Sequence, residues 1–302
     1  MKNMLQENTI KLSSSYAVAS KARDYFQLMK FNLTFMVVFS SVVAYLLVPG
    51  VEFNLIKVLL LFAGGLLVSG SANTINQIWE KETDKLMART AVRPLPAGRM
   101  ADTEAIFLAV ITGIGGLVIM VVAFNWLSAI LSLVSLVIYG FVYTPWKKWN
   151  SLAVLVGAIP GALPLLIGWA AGANELSEGG WALFAIQFLW QFPHFWAICW
   201  LAYKDYAKAG FKLLPANGEP NKFTAMQSAM YTLLLIPAGV APYFLKLTGP
   251  VSAIIAIAAG MFFLFRAINL YRKCDAVAAR KLMFGSYIYL MVVQLAYLFD
   301  KV

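Results

Sequence analysis

Residues 73–99 read Asn-Thr-Ile-Asn-Gln-Ile-Trp-Glu-Lys-Glu-Thr-Asp-Lys-Leu-Met-Ala-Arg-Thr-Ala-Val-Arg-Pro-Leu-Pro-Ala-Gly-Arg, the densest polar stretch of a very apolar chain, directly after a hydrophobic run. Asn76, Glu80 and Asp84 are spaced by four. On a helix that spacing turns each residue about 40° from the last, so the three share one face and climb roughly 12 Å along it. Arg89 and Arg93 follow, and then two prolines and a glycine that end the helix. One face thus offers hard oxygen ligands, with guanidinium forks one or two turns on. A divalent cation carrying a diphosphate needs such an arrangement.

The rest of the chain sets this stretch at a membrane boundary. Of 302 residues, 61% are hydrophobic and 13% charged, and the mean hydropathy is +0.74. A soluble protein of this length cannot hide so much apolar surface, so the bilayer serves as solvent for much of it. Nine apolar segments predict spanning helices at about 31–49, 54–76, 104–123, 126–143, 151–172, 181–203, 225–245, 250–270 and 281–299. The fold expected is therefore an all-α integral membrane protein of nine transmembrane helices. Residues 1–30 form an N-terminal cytoplasmic segment and 31–302 one intramembrane domain.

Charge orients the bundle. With the N-terminus inside, all of the 24 basic residues except Lys57, Lys246 and Lys301 fall on the inner side. The C-terminus is then outside. The net charge of +10 sits between apolar runs, where it sets topology and attracts anionic lipid. Nucleic acid is not an expected partner. Cys199 and Cys274 show neither metal spacing nor a disulfide framework, and residues 1–29 lack the apolar core of a cleaved signal. The outer loops are short and poor in chemistry, so function is expected on the cytoplasmic side. The inner loops after the second and sixth helices lie four helices apart, which hints at a parallel repeat.

Each polar constellation has a plain alternative. A solvated helix end would carry the pairs Lys81–Asp84 and Glu82–Lys85, worth about 0.2–0.5 kcal/mol each. It leaves Glu80 and Asp84 unexplained, like charges four apart that repel unless a cation lies between them. Lys204-Asp205-Tyr206-Ala207-Lys208 closes the sixth helix; Asp205 could reach a metal and Lys204 or Lys208 a phosphate, or the run could be a stop-transfer end. Tyr143-Thr144-Pro145-Trp146-Lys147-Lys148 follows the fourth helix, and two lysines there are ordinarily topology determinants. Gln187, Gln191 and His194 form a stripe inside the sixth helix, and His194 is the only histidine. It is either a core histidine bonded across helices or a substrate contact, since polar groups at membrane depth usually face a cavity.

Asn76-x-x-x-Glu80-x-x-x-Asp84, Met87-Ala88-Arg89-Thr90 and Arg93-Pro94-Leu95-Pro96-Ala97-Gly98-Arg99 together resemble the first signature of the intramembrane UbiA prenyltransferase superfamily. Tyr143-Thr144, Gly161-Ala162, Pro164 to Trp169, Pro193-His194-Phe195-Trp196 and Asp205-Tyr206 to Pro215 are similar, in order, to its heme-prenylating branch. Two positions depart from the superfamily pattern: Glu80 stands where Asp is usual, and Ala209 stands where a second acid often follows Asp205. The resemblance implies a UbiA-type bundle whose cavity opens to the cytoplasmic side of the inner membrane. It also implies farnesyl transfer from farnesyl diphosphate to a vinyl group of heme b, with addition of water, giving heme O for heme–copper oxidases.

On that reading Asn76, Glu80, Asp84 and Asp205 hold Mg²⁺. Arg89, Arg93, Lys148 and Lys204 take up diphosphate charge. Tyr143 with Trp79, Trp146, Trp190 and Trp196 walls the allylic cation, and His194 is the candidate iron contact. The partners implied are farnesyl diphosphate, heme b, membrane lipid and a heme A synthase. Two other readings of the chain are a superfamily prenyltransferase with an aromatic acceptor and a nine-helix secondary transporter, whose site would lie at the midplane.

Overall fold

A computed structural model describes residues 20–216 and 218–302. The first nineteen residues of the expected N-terminal segment lie outside the described residues. Every regular element among those described is helical. α1 (Ser20–Leu28) meets α2 (Phe31–Leu47) at 50°, with Lys30 in the left-handed region (φ 50°) at the corner. There follow α3 (Leu55–Trp79), α4 (Lys81–Asp84), α5 (Asp102–Ala123) and α6 (Trp126–Val137). One π-helical turn, Ile138–Tyr143, joins α6 to α7 (Thr144–Trp146). The remainder is α8 (Ala153–Ala173), α9 (Glu178–Leu201), α10 (Tyr203–Lys208), α11 (Lys222–Phe244), α12 (Pro250–Lys273) and α13 (Ala276–Phe299).

Eight of these spans are long and apolar enough to cross a bilayer alone, and the bent α1–α2 pair makes the ninth. All nine predicted segments are present, within a few residues at each end. Polar side chains start several of them: Asn54, Asn125, Asn221 and Asp275 each accept from a backbone N–H three residues on, satisfying an otherwise unpaired donor.

Two groups of helices share the bundle. α2, α3, α5 and α6 close a circuit through α8, and α9, α11, α12 and α13 close a second, with α13 returning onto α2. The inner helix α8 is 72% buried over its apolar window, whereas α5 is 33% buried, its remaining face turned to the lipid. Close approach rests on small residues. A Cβ on Gly116 would sit 2.9 Å from the Gly64 carbonyl oxygen of α3, and one on Gly168 only 1.8 Å from the Ser41 carbonyl oxygen of α2.

α1 and residues 85–101 pack over one end of the first group. Leu28, Leu95, Met100 and Ala105 are buried together there. Arg99 holds the buried Asp24 of α1, while Lys21 and Tyr25 both bind Glu104 at the start of α5. Residues 20–28, expected to precede the domain, are thus part of its packed end.

Candidate active site

The acidic stretch leaves the bundle with a bend. α3 ends at Trp79, Glu80 takes φ −93° and ψ 3°, and α4 carries the chain to Asp84. The four-residue hydrogen-bond register nevertheless continues across the bend: Glu80 N–H donates to the Asn76 carbonyl at 3.0 Å and Asp84 N–H to the Glu80 carbonyl at 2.7 Å. Asn76, Glu80 and Asp84 therefore keep the shared face that their spacing predicts, and all three are buried.

A cation meets each of the three. Lys30 Nζ donates to Asn76 Oδ1 at 3.1 Å, Lys147 Nζ to Glu80 Oε1 at 2.7 Å, and Arg93 donates to Asp84 Oδ2 at 2.6 Å. The salt bridge predicted between Lys81 and Asp84 does not form: Lys81 reaches Asp102 instead, because Asp84 turns inward to Arg93. The pair Glu82–Lys85 does form. Three cations face two carboxylates. Burial raises the Asp84 carboxyl above its ordinary value although Arg93 pulls the other way. Such a site favours the arrival of further negative charge.

Asn76 is oriented by a third helix. Its Nδ2 donates to Thr144 Oγ1 at 3.1 Å, and Thr144 Oγ1 donates its own proton to the Tyr139 carbonyl at 2.8 Å. The hydroxyl is left with lone pairs for the amide, so the NH₂ end of Asn76 must face Thr144 and Oδ1 faces Lys30. The π turn makes this possible, since its wider winding puts Tyr139 and Thr144, five apart, on one side. One turn on, Lys147 lies 4.5 Å from the Tyr143 ring centroid, a cation over an aromatic face.

Several expected site residues lie elsewhere. The lysine that reaches the acids is Lys147, not Lys148, which is exposed. Asp205 pairs with Lys208 at 3.5 Å and, with Lys204 and Glu219, lines a separate 510 Å³ hollow. From that short helix Tyr206 packs on the cluster containing Tyr143, Met87 and Trp196. Among the described residues no group of three His, Cys, Asp or Glu side chains comes together, so Asp205 does not join Glu80 and Asp84. His194 stacks on Trp190 at 4.6 Å and shares a 2.7 Å hydrogen bond with Ser286, joining α9 to α13. It lines neither hollow near Asn76, Glu80 and Asp84. Trp79 is 58% exposed in an outward apolar groove, and Trp146 also turns out, so neither walls the site.

Lys30, Thr144 and Lys147 are the residues that sequence reasoning missed. Lys147 follows a π turn whose extra residue the sequence pattern does not reveal. Lys30 had no signal either, because its position depends on a left-handed corner.

Two spaces open near the ladder, one reached through Asn73 and Tyr139 and the other through Lys30 and Arg93, and neither lining includes Asn76, Glu80 or Asp84 itself. A narrow cavity of 90 Å³ runs between α2, α3, α6 and α8, lined by Val37, Val68, Leu136 and Pro164, with Asn73 and Tyr139 at its polar side. A wider hollow of 890 Å³ lies between α1 and the loop after α4, and its lining includes Lys30, Arg89 and Arg93.

The donors suit Mg²⁺. All are oxygens, and Asp84 Oδ1 is buried with no hydrogen-bond partner, which leaves its lone pairs free for a ligand. Two carboxylates and an amide are few, as Mg²⁺ sites that complete their shell with phosphate oxygens and water require.

The model of the UbiA prenyltransferase family matches residues 37–291. The chain belongs to that family. It is 47% identical over 285 residues to the protoheme IX farnesyltransferase of Cytophaga hutchinsonii, covering 94% of this chain and all of the relative. The corresponding protein of Flavobacterium psychrophilum is 45% identical, over 94% of this chain and 96% of its own length. Among solved structures, a digeranylgeranylglyceryl phosphate synthase superposes with a TM-score of 0.77 at 21% identity, over 93% of this chain and 98% of that one. A UbiA homolog from Archaeoglobus fulgidus bound to DMAPP and Mg²⁺ gives 0.69 at 15% identity, over 91% and 99%. These structures establish the UbiA fold for the nine-helix bundle. As a member of the family the chain is a prenyltransferase, and the nine-helix transporter reading is set aside.

Proposed function

We propose that the chain transfers the farnesyl group of farnesyl diphosphate to a vinyl group of heme b, with addition of water, to give heme O and diphosphate. The relatives named protoheme IX farnesyltransferase support the substrates. The observation that carries the chemistry is the buried ladder Asn76–Glu80–Asp84 beside Lys30, Arg93 and Lys147, with one Asp84 oxygen unpaired.

Asn76, Glu80 and Asp84 would hold Mg²⁺, which when bound offsets charge on the diphosphate and so weakens the allylic carbon–oxygen bond. As that bond breaks, its electron pair leaves with the diphosphate, and Lys30, Arg93 and Lys147 take up the growing negative charge. To do so they exchange a carboxylate or amide for a phosphate oxygen. Tyr139 and Tyr143 present ring faces beside the departing allyl cation, worth about 0.5–2 kcal/mol each. The tail follows the apolar seam between α2, α3, α6 and α8, which keeps bulk water from the cation. The vinyl terminal carbon then bonds to the farnesyl carbon, water adds at the other vinyl carbon, and one proton is released.

In this reading residues 31–302 are the catalytic unit, and α1 completes its charged end. The basic asymmetry supports a cytoplasmic position for that end and for the N-terminus, with the chain in the plasma membrane. A heme A synthase would receive the product where heme A is made.

The test is an incubation of the detergent-purified protein with farnesyl diphosphate, heme b and Mg²⁺, with mass analysis of the extracted porphyrin. Wild type should yield a gain equal to a farnesyl group plus water. Asp84→Asn should lose the product by a hundredfold or more, about 3 kcal/mol of transition-state stabilisation. Product at the wild-type rate from that variant would end the metal assignment.

A further inference from the structure

The 890 Å³ hollow carries more positive charge than diphosphate chemistry uses. Its lining includes five cations, Arg23, Lys30, Arg89, Arg93 and Arg99, and no acid. Lys30 and Arg93 are committed to Asn76 and Asp84 at the inner end. Arg99 is committed to structure: it binds both oxygens of the buried Asp24, the Gln27 amide oxygen and the Val92 carbonyl. Arg23 and Arg89 remain. Both are exposed, they come from different walls, and neither forms an ion pair among the described residues.

The wall carrying Arg23 is fixed rather than loose. Arg99–Asp24 at 3.0 Å and Lys21–Glu104 at 2.9 Å hold α1 on either side of that arginine. The floor is of the opposite character. Phe26, Phe31 and Leu33 line it, with the Phe26 and Phe31 rings edge to face at 5.3 Å. A space with two uncommitted guanidinium forks at its rim and an aromatic floor suits a flat apolar molecule bearing two carboxylates, since each fork matches one carboxylate. Its volume lies within the usual range for small-molecule sites.

We infer that this hollow is the acceptor site. Arg23 and Arg89 take the two propionates of the porphyrin, the macrocycle lies on Phe26 and Phe31, and the opposite edge points to Lys30 and Arg93, where the allylic carbon is set free. The inference rests on the acceptor proposed above. An anionic lipid shares this chemistry, one charged head on an apolar body, so the test must separate the two.

The probe is zinc protoporphyrin IX, followed by its fluorescence, against its dimethyl ester, with the full-length protein in phosphatidylcholine nanodiscs. Wild type should bind the diacid about tenfold or more tightly than the diester. Arg23 takes no part in diphosphate binding and gives the clean variant: Arg23→Gln should lose much of that preference while binding Mg²⁺–farnesyl diphosphate within about threefold of wild type. The double variant Arg23→Gln/Arg89→Gln should lose the rest; both arginines are exposed, and unchanged thermal unfolding checks folding. A double variant that keeps the preference overturns the inference and leaves heme as the acceptor. A loss of farnesyl diphosphate binding in Arg23→Gln equal to its loss of preference gives the hollow to the donor anion, and overturns it too. Wild type in phosphatidylglycerol discs binding the diacid as weakly as the double variant would make it a head-group site. Wild type that binds neither porphyrin removes the heme reading itself.

Discussion

Replacing Thr144 by valine isolates the orientation of Asn76. The side chains are nearly the same size and Thr144 is 3% exposed, so no cavity opens. What disappears is the hydroxyl that accepts from Asn76 Nδ2 at 3.1 Å and donates to the Tyr139 carbonyl at 2.8 Å. The amide of Asn76, itself fully buried, then has an unpaired donor, a loss of about 1–3 kcal/mol. Part of that is recovered if the amide turns over, which would point nitrogen rather than oxygen at the metal position. The expected result is a half-saturating Mg²⁺ concentration for farnesyl diphosphate binding raised roughly 5- to 150-fold, the same free energy read as an equilibrium constant. Thr144→Ser, which keeps the hydroxyl, should stay within about threefold of wild type. Titration calorimetry in detergent gives the magnesium dependence, and thermal unfolding gives the stability change alongside. Loss of stability in Thr144→Val with unchanged magnesium dependence would refute the reasoning, and so would a serine variant as impaired as valine.

Lys147→Met strands the buried Glu80 carboxylate and should destabilise by about 3–5 kcal/mol by thermal unfolding; adding Glu80→Gln should restore most of the stability and none of the activity. Asp205→Asn removes only the long exchange with Lys208, so magnesium dependence should remain near wild type, and a shift as large as that of Asp84→Asn would make Asp205 a ligand. Gly168→Ala forces α8 off the Ser41 carbonyl of α2 and should lower stability by about 1–3 kcal/mol or more, read as a lower midpoint in detergent. Lys301→Ala removes the ammonium that donates to the carbonyls of Leu46, Val48 and Val51, and about 1–3 kcal/mol of stability with it.

The spans were legible because a bilayer demands about 20 apolar residues and the chain supplies nine such runs. The acid ladder was legible because its four-residue register survives the bend at Glu80. The lysine partner was harder. A π turn carries an extra residue and so shifts the phase of everything after it by about 100° against an ideal helix. Whether Lys147 or Lys148 points inward therefore depends on a turn that hydropathy does not reveal. The three basic residues on the unexpected side lie near helix ends. Lys301 donates to the carbonyls at the end of α2, and Lys57 Nζ to that of Ala123 at the end of α5, while Lys246 takes φ 57° just beyond α11. Exposed helix carbonyls attract cations for a reason unrelated to topology, which accounts for Lys57 and Lys301.

The hinted repeat is visible in the backbone and broken in the chemistry. α9 ends at Ala202 with φ −103° and ψ 11°, close to the bend at Glu80, and a short helix follows each. In the first half the bend residue is itself an acid, and one turn later comes a second, so both face inward with the register intact. In the second half the bend residue is alanine. The acid follows three positions later rather than four, which rotates it by about 100° relative to Asp84. Asp205 consequently turns to Lys208 and the outer hollow, and its neighbour Tyr206 takes the inward position beside Tyr143 and Met87. With one acidic arm in place of two, the chain itself supplies few of the ligands a magnesium ion requires. On the proposed reading the diphosphate provides much of the rest, so metal and donor are expected to bind as a pair rather than in turn.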